Sequence, residues 1–124
     1  MTPMTFVLAA LGCGLGAVLR FWLATWRRPH HLPWPTLLAN VLGTSLLGAA
    51  AFLTDSGQLS AAGAIIVGGG VAGGLTTFST LAVDALVLWR ASPARAITYL
   101  CATGIAGTIS GLAGWWIAQL LVRS

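Results

Sequence analysis

The chain has 124 residues, of which 57% are hydrophobic and only 6% are charged, with a formal net charge of +4. A soluble domain carries roughly a quarter of its residues as charged side chains, so a water-soluble domain is excluded, and the length allows one domain at most. The arginines flank apolar runs and form no basic face, which excludes nucleic acid as a partner. The lipid bilayer is therefore the expected solvent.

Four segments are long and apolar enough to cross a bilayer, because a membrane helix needs about 20 mostly apolar residues. They cover residues 4–26, 35–54, 60–89 and 96–122. The predicted fold is an all-α integral membrane domain formed by residues 1–124. The sequence has no nucleotide motif, no Ser–His–Asp set and no paired carboxylates, so we do not expect an enzyme.

The arginines are unevenly distributed between the two ends of the spans. Four of the six lie in or beside loops 27–34 and 90–95, and Arg20 is near the same end, whereas only Arg123 is on the side of the termini. Cytoplasmic loops carry an excess of positive residues in membrane proteins. We therefore predict that these two loops are cytoplasmic and that both termini are external.

Two polar side chains interrupt the first and second spans. Arg20 either extends toward the interface, as long basic side chains do, or faces an aqueous vestibule and attracts anions. Asn40 either makes an interhelical hydrogen bond or lines an ion path as an amide donor. An amide N–H suits an anion because it brings no charge that must be neutralised.

The third span contains the stretch "GGGVAGGLTTFSTL", residues 68–81, with five glycines in seven residues. Each interior glycine costs a helix ~0.5–1 kcal/mol relative to alanine, so this stretch is expected to unwind at mid-membrane. Unwound backbone frees carbonyls that can hold a cation and N–H groups that threonine or serine can cap. Phe78 and Leu81 are three residues apart and share a face, and the edge of a phenyl ring is weakly positive.

At these residues the sequence resembles the Fluc (CrcB) family of fluoride channels. The resemblance covers nearly the whole chain and rests on "GLGAVLRF", "PWPTLLANVLGTSLLG" and "GGLTTFSTL". It implies an antiparallel dimer with two separate fluoride pores. It also implies a structural sodium ion on the dimer axis, bound by backbone carbonyls that belong here to Gly73 and Thr76.

The resemblance also assigns roles to individual side chains. Asn40 matches the pore asparagine, and Phe78 matches the first of two phenylalanines whose ring edges meet fluoride. Arg20 matches the arginine of the vestibule. Tyr99 and Thr103, four residues apart in the last span, match a polar track that takes over from the rings.

The chain departs from the family pattern in two respects. Leu81 stands where the family usually has its second phenylalanine, so one ring-edge contact is missing from each pore. The strong arginine bias fits family members that occur as two related chains with opposite fixed orientations. The expected partner is therefore either a second copy of this chain or a paralogue.

The predicted function is a passive, highly selective fluoride channel in the plasma (inner) membrane of a prokaryote. Two alternatives remain open from the sequence. One is an accessory or partner subunit of a heterodimeric fluoride channel, which the loss of the phenylalanine at Leu81 favours. The other is a small proton-coupled multidrug exporter, for which Asp84 is the candidate carboxylate within a span.

Overall fold

The computed structural model describes residues 1–26 and 32–124, and all regular structure in this part of the chain is helical. The prediction of an all-helical fold with four helices long and apolar enough to cross a membrane is confirmed. Most of the predicted cytoplasmic loop 27–34 lies outside the described residues. The four candidate spans are Pro3–Thr25, Trp34–Asp55, Ala61–Ala91 and Pro93–Arg123.

The first, second and fourth spans are single helices, whereas the third consists of several shorter ones. The last helix begins at Pro93 rather than at the predicted Ala96, because proline is well suited to the first turn, where its missing N–H has no helical partner. The elements in chain order are α1 (Pro3–Thr25), α2 (Trp34–Asp55), α3 (Ala61–Ala64), a π-helix (Ile65–Ala72), α4 (Gly73–Leu75), α5 (Phe78–Ala91) and α6 (Pro93–Arg123).

The third segment is interrupted at two threonines rather than at the glycines. The backbone is extended at Thr76 (φ −76°, ψ 152°) and at Thr77 (φ −149°, ψ 123°). Thr77 caps α5, because its Oγ1 accepts a hydrogen bond from the backbone N–H of Thr80 at 3.2 Å, an interaction worth about 1 kcal/mol. The glycine run, in contrast, remains helical within the π-helix and α4, which differs from the expected unwinding.

The glycines of the third segment allow its backbone to touch that of α1. A Cβ added at Gly70 would lie 2.7 Å from the carbonyl oxygen of Ala9, and one added at Gly74 would overlap the carbonyl of Cys13. Reciprocally, a Cβ at Gly16 would lie 2.7 Å from the backbone nitrogen of Leu75. Small residues are typical of such close helix contacts in membranes. The glycine run therefore serves packing, and the threonines that follow it interrupt the helix.

A second close contact joins α2 and α6. A Cβ at Gly48 would overlap the carbonyl of Gly111, and one at Gly114 would overlap the carbonyl of Ser45. Beyond this contact, the rings of Phe52 and Trp115 meet edge to face with centroids 5.3 Å apart. Two pairs of elements, α1 with the third segment and α2 with α6, thus form the body of the fold.

Large apolar side chains are exposed along the outside of this bundle. Phe21 on α1, Val87 on α5 and Ile117 on α6 are all more than half exposed. Exposed apolar surface of this extent marks a face that contacts lipid or another protein. Together with the four apolar helices, it describes a multi-pass membrane protein.

Candidate functional site

A cavity of about 450 Å³ lies beside the interruption of the third segment, between α2, α5 and α6. We call it the polar cavity because five threonines and Asn40 are among its ten lining residues. The sequence-predicted residues Asn40, Phe78, Leu81 and Thr103 all line it, together with Thr76. Thr44 and Thr77 line the cavity as well, and neither was among the residues predicted from the sequence.

Asn40 joins α2 to the interruption through both atoms of its amide group. Its Oδ1 accepts a hydrogen bond from the Thr77 backbone N–H at 2.7 Å, and its Nδ2 donates to the Thr77 carbonyl at 3.2 Å. An amide Nδ2 carries two hydrogens, so one N–H is left for the cavity. Of the two alternatives that the sequence left open, the interhelical hydrogen bond is present, and the side chain also lines a cavity.

Phe78 and Leu81, in the first turn of α5, contribute apolar surface to the lining of the cavity. Phe78 is 81% exposed in the single chain, whereas Leu81, one turn later, is half-buried. The ring of Phe78 therefore has an accessible edge, and the leucine presents only methyl groups. The cavity combines one weakly positive ring edge with amide and hydroxyl donors.

Thr103 contributes a hydroxyl that is buried but unsatisfied. Its Oγ1 has no hydrogen-bond partner among the described residues, although the residue lines the polar cavity. A buried hydroxyl without a partner costs about 1–3 kcal/mol. The Thr103 hydroxyl thus retains an unused hydrogen-bonding capacity beside the polar cavity.

Arg20 lies in a neighbouring cavity of about 250 Å³ between α1, α2 and α5. Its Nε is buried and has no hydrogen-bond partner among the described residues. Thr36 and Thr80 line the same cavity, and Thr77 lines both cavities. The interrupted backbone at Thr77 therefore lies between the cavity that Arg20 lines and the polar cavity.

Tyr99 does not join Thr103 in the polar cavity. It is fully buried, and its hydroxyl donates to Asp84 Oδ2 at 3.4 Å, while the hydroxyl of Thr36 donates to the same oxygen at 2.7 Å. This network ties α2, α5 and α6 together. The sequence signal for it was Asp84, the one carboxylate within a predicted span, but its two hydroxyl partners were not predictable from spacing.

The backbone around Gly73 and Thr76 has unusual hydrogen bonding. In an α-helix each carbonyl accepts from the N–H four residues later, so these two carbonyls would take the N–H groups of Thr77 and Thr80. Both N–H groups bond elsewhere, to Asn40 Oδ1 and to Thr77 Oγ1. The Gly73 carbonyl accepts only a long contact of 3.5 Å from the Thr76 hydroxyl.

The model of one protein family matches residues 7–115 of this chain, and the family is described as "CrcB-like protein, Camphor Resistance (CrcB)". This match covers most of the chain. The chain belongs to the CrcB family. The resemblance deduced from the three sequence motifs is therefore confirmed.

Curated relatives of this family align with nearly the full length of the chain. The fluoride-specific ion channel FluC of Thermus thermophilus is 33% identical over 121 residues, which cover 94% of this chain and 95% of the relative. FluC 1 of Streptococcus pneumoniae is 36% identical over 107 residues, covering 86% and 94%. FluC of Methanopyrus kandleri is 39% identical over 109 residues, covering 84% and 83%. These relatives are named as ion channels and not as enzymes.

Proposed function

We propose that this chain forms a passive, selective channel that exports fluoride from the cytoplasm. The observation that carries the proposal is the polar cavity, which Asn40, Phe78 and Thr103 all line. The curated relatives, which are named fluoride-specific ion channels, support the same ion.

Selectivity in this proposal comes from replacing the water around fluoride with groups fixed in the wall. The free N–H of Asn40 and the unpaired hydroxyl of Thr103 donate hydrogen bonds, and the Phe78 ring contributes its positive edge. None of these groups carries a formal charge, so the ion is stabilised without being trapped. Arg20, in the neighbouring cavity, attracts anions toward this path as the cation of a vestibule.

A channel is sufficient for export because fluoride is the anion of a weak acid. Neutral hydrogen fluoride crosses lipid, enters a less acidic cytoplasm and ionises there. The anion cannot return through the bilayer, because an unpaired charge in an apolar medium is prohibitively costly. A pore lets it leave down its electrochemical gradient, which the negative interior of the cell strengthens. We propose accordingly that the chain lies in the plasma (inner) membrane of a prokaryote. The arginine bias supports an orientation in which loops 27–34 and 90–95 of this chain are cytoplasmic.

The proposed assembly is an antiparallel dimer with two pores. Its support is the open side of the polar cavity, where Phe78 is 81% exposed. A single chain leaves this cavity without a wall on that side, and a second chain would supply one. The second subunit is another copy of this chain if the chain inserts in both orientations. It is a paralogue if the arginine bias fixes one orientation.

The residues present fit a structural sodium ion at the interruption. Backbone carbonyls of a broken membrane helix are suitable sodium ligands, and those of Gly73 and Thr76 lack their regular helical donors. Among residues 1–26 and 32–124, no group of three or more His, Cys, Asp or Glu side chains lies together, so backbone oxygens are the ligands that we propose. The bound ion would supply positive charge that holds the interrupted segments together.

A second candidate function is that of a partner subunit in a heterodimeric channel. Leu81 supports it, because the methyl groups of this residue cannot provide the second ring edge. The two candidates differ in what the chain does when it is alone. As a partner subunit it would conduct fluoride only when a related chain is present.

The experiment is fluoride efflux from liposomes that contain the purified full-length chain alone, measured with a fluoride electrode. The proposed channel predicts rapid efflux that starts when a potassium ionophore relieves the membrane potential. Efflux that appears only after co-reconstitution with a related chain would support the partner subunit. No efflux in either preparation would contradict both functions.

A further inference from the structure

The hydrogen bonds at the interruption explain why the Gly73 carbonyl is available. A continued α-helix would direct the Thr77 N–H to this carbonyl. In the structure this N–H instead donates to Asn40 Oδ1 at 2.7 Å. The carbonyl retains only the Thr76 hydroxyl at 3.5 Å, which is at the limit of a hydrogen bond.

The Thr76 carbonyl is available for a similar reason, because a side-chain oxygen replaces it as the acceptor of a backbone N–H. Its helical donor would be the Thr80 N–H, and this group donates to Thr77 Oγ1 at 3.2 Å. The same Oγ1 also donates to the Thr80 hydroxyl at 3.1 Å, so the threonine side chain is held in this orientation. Thr77 itself is only 8% exposed, and water does not readily replace these bonds.

We infer that Asn40 and Thr77 are the positioning residues of the cation site. Each accepts one backbone N–H, and each thereby keeps one carbonyl, of Gly73 or of Thr76, free to bind a metal ion. A buried N–H left without an acceptor costs about 1–3 kcal/mol. If either acceptor is removed, the N–H therefore returns to its helical carbonyl and competes with the ion. This inference rests on the sodium site of the proposed function.

The arrangement also makes Asn40 a link between the ion path and the cation site. Its amide makes two hydrogen bonds to the Thr77 backbone. Its second N–H is not used in these bonds, and the residue lines the polar cavity. A change at this position therefore alters two sites at once, whereas a change at Thr103, which has no hydrogen bond to the interruption, alters only one. The effect on the ion path and the effect on the cation site can therefore be measured separately with different substitutions at Asn40 and Thr103.

The test measures sodium binding by stability rather than by transport. The unfolding midpoint of the purified full-length protein is followed by the fluorescence of its six tryptophans, while NaCl replaces N-methylglucamine chloride at constant ionic strength. A bound ion raises the midpoint according to its affinity. Asn40→Leu is expected to raise the sodium concentration that gives half of the shift by about tenfold, which corresponds to about 1.4 kcal/mol. Asn40→Asp keeps an acceptor for the Thr77 N–H, so its half-shift concentration is expected not to rise.

Thr77 supplies an independent pair of variants should Asn40→Leu fail to fold. Thr77→Val removes the acceptor of the Thr80 N–H at nearly constant volume, and we expect the same direction of shift. Thr77→Ser restores a hydroxyl and is expected to restore the wild-type sodium dependence. A merely structural role for Thr77 would lower the stability of the valine variant equally with and without sodium.

Thr103→Val is the control within the polar cavity. We expect it to reduce fluoride efflux while leaving the sodium dependence of the wild-type protein unchanged. Wild-type sodium dependence in both Asn40→Leu and Thr77→Val would overturn the inference. A wild-type protein whose midpoint ignores sodium would overturn the sodium site and this inference together, while fluoride efflux still tests the channel separately.

Discussion

The side-chain amide of Asn40 makes two hydrogen bonds to a single residue, Thr77, accepting from its N–H at 2.7 Å and donating to its carbonyl at 3.2 Å. The two residues are 37 positions apart in the chain. The contact joins α2 to Thr77, one of the two residues at which the backbone of the third segment is extended. It fixes both the wall of the polar cavity and the course of the backbone beside it.

Phe78→Ile is expected to reduce fluoride efflux by at least about tenfold, or about 1.4 kcal/mol of barrier. The substitution removes the ring edge but keeps apolar bulk at the mouth of the polar cavity. Efflux from liposomes is the measurement, and size-exclusion chromatography checks that the assembly is unchanged. Phe6→Ile, on the exposed face of α1, is the matched control. Wild-type efflux from the Phe78 variant would rule out a pore role for this ring.

Leu81→Phe is expected to maintain or increase fluoride efflux. The substitution restores the ring that family members usually carry, and it faces the same cavity as Phe78. The initial efflux rates of variant and wild type are compared at equal protein density. A blocked channel would show that the cavity has packed around the smaller leucine.

Arg20→Gln is expected to slow fluoride efflux mainly at low ionic strength. The Debye length falls from about 30 Å at 0.01 M salt to about 3 Å at 1 M, so long-range attraction of anions by a guanidinium disappears as salt is added. Efflux is measured across this range of impermeant salt. Arg123→Gln, at the end of α6, serves as the control. A loss that is independent of ionic strength would indicate a structural role for Arg20.

Gly16→Ala and Gly14→Ala are expected to have opposite effects on stability. A Cβ at Gly16 would lie 2.7 Å from the Leu75 nitrogen, whereas one at Gly14 meets nothing within 4 Å. Overpacking at the first position should cost about 1–3 kcal/mol, and the alanine at the second should contribute about 0.5–1 kcal/mol through helix propensity. Thermal unfolding in detergent compares the two. Equal unfolding midpoints would contradict the contact between α1 and the third segment.

The sequence predicted the four spans well because length and hydropathy alone decide them. It also placed Asn40, Phe78, Leu81, Tyr99 and Thr103 in one group, and all of these except Tyr99 line one cavity in the structure. This grouping came from the resemblance to a family, because residue spacing alone does not say which helices lie side by side. The roles of these side chains in fluoride transport remain predictions.

The location of the interruption was harder to predict, because glycine has two uses in a membrane helix. Propensity favours unwinding at Gly70 or Gly74, but contact with α1 keeps these residues helical and makes their missing side chains a packing requirement. The position of the interruption depends on the two hydrogen bonds between Asn40 and Thr77, which are distant in the sequence. Local sequence contains no measure of such a contact, and the pairing of Tyr99 with Asp84 escaped prediction for the same reason.

A comparison of fluoride efflux with chloride efflux tests whether the chain forms a fluoride-selective pore. Liposomes that contain the full-length protein are loaded with either anion at the same concentration and gradient, and the initial rates are measured with ion-selective electrodes. A fluoride-selective pore should give rapid loss of fluoride and retention of chloride, because the uncharged donors of the polar cavity suit the smaller ion. Equal rates for the two anions, or no loss of either with any partner chain, would contradict it.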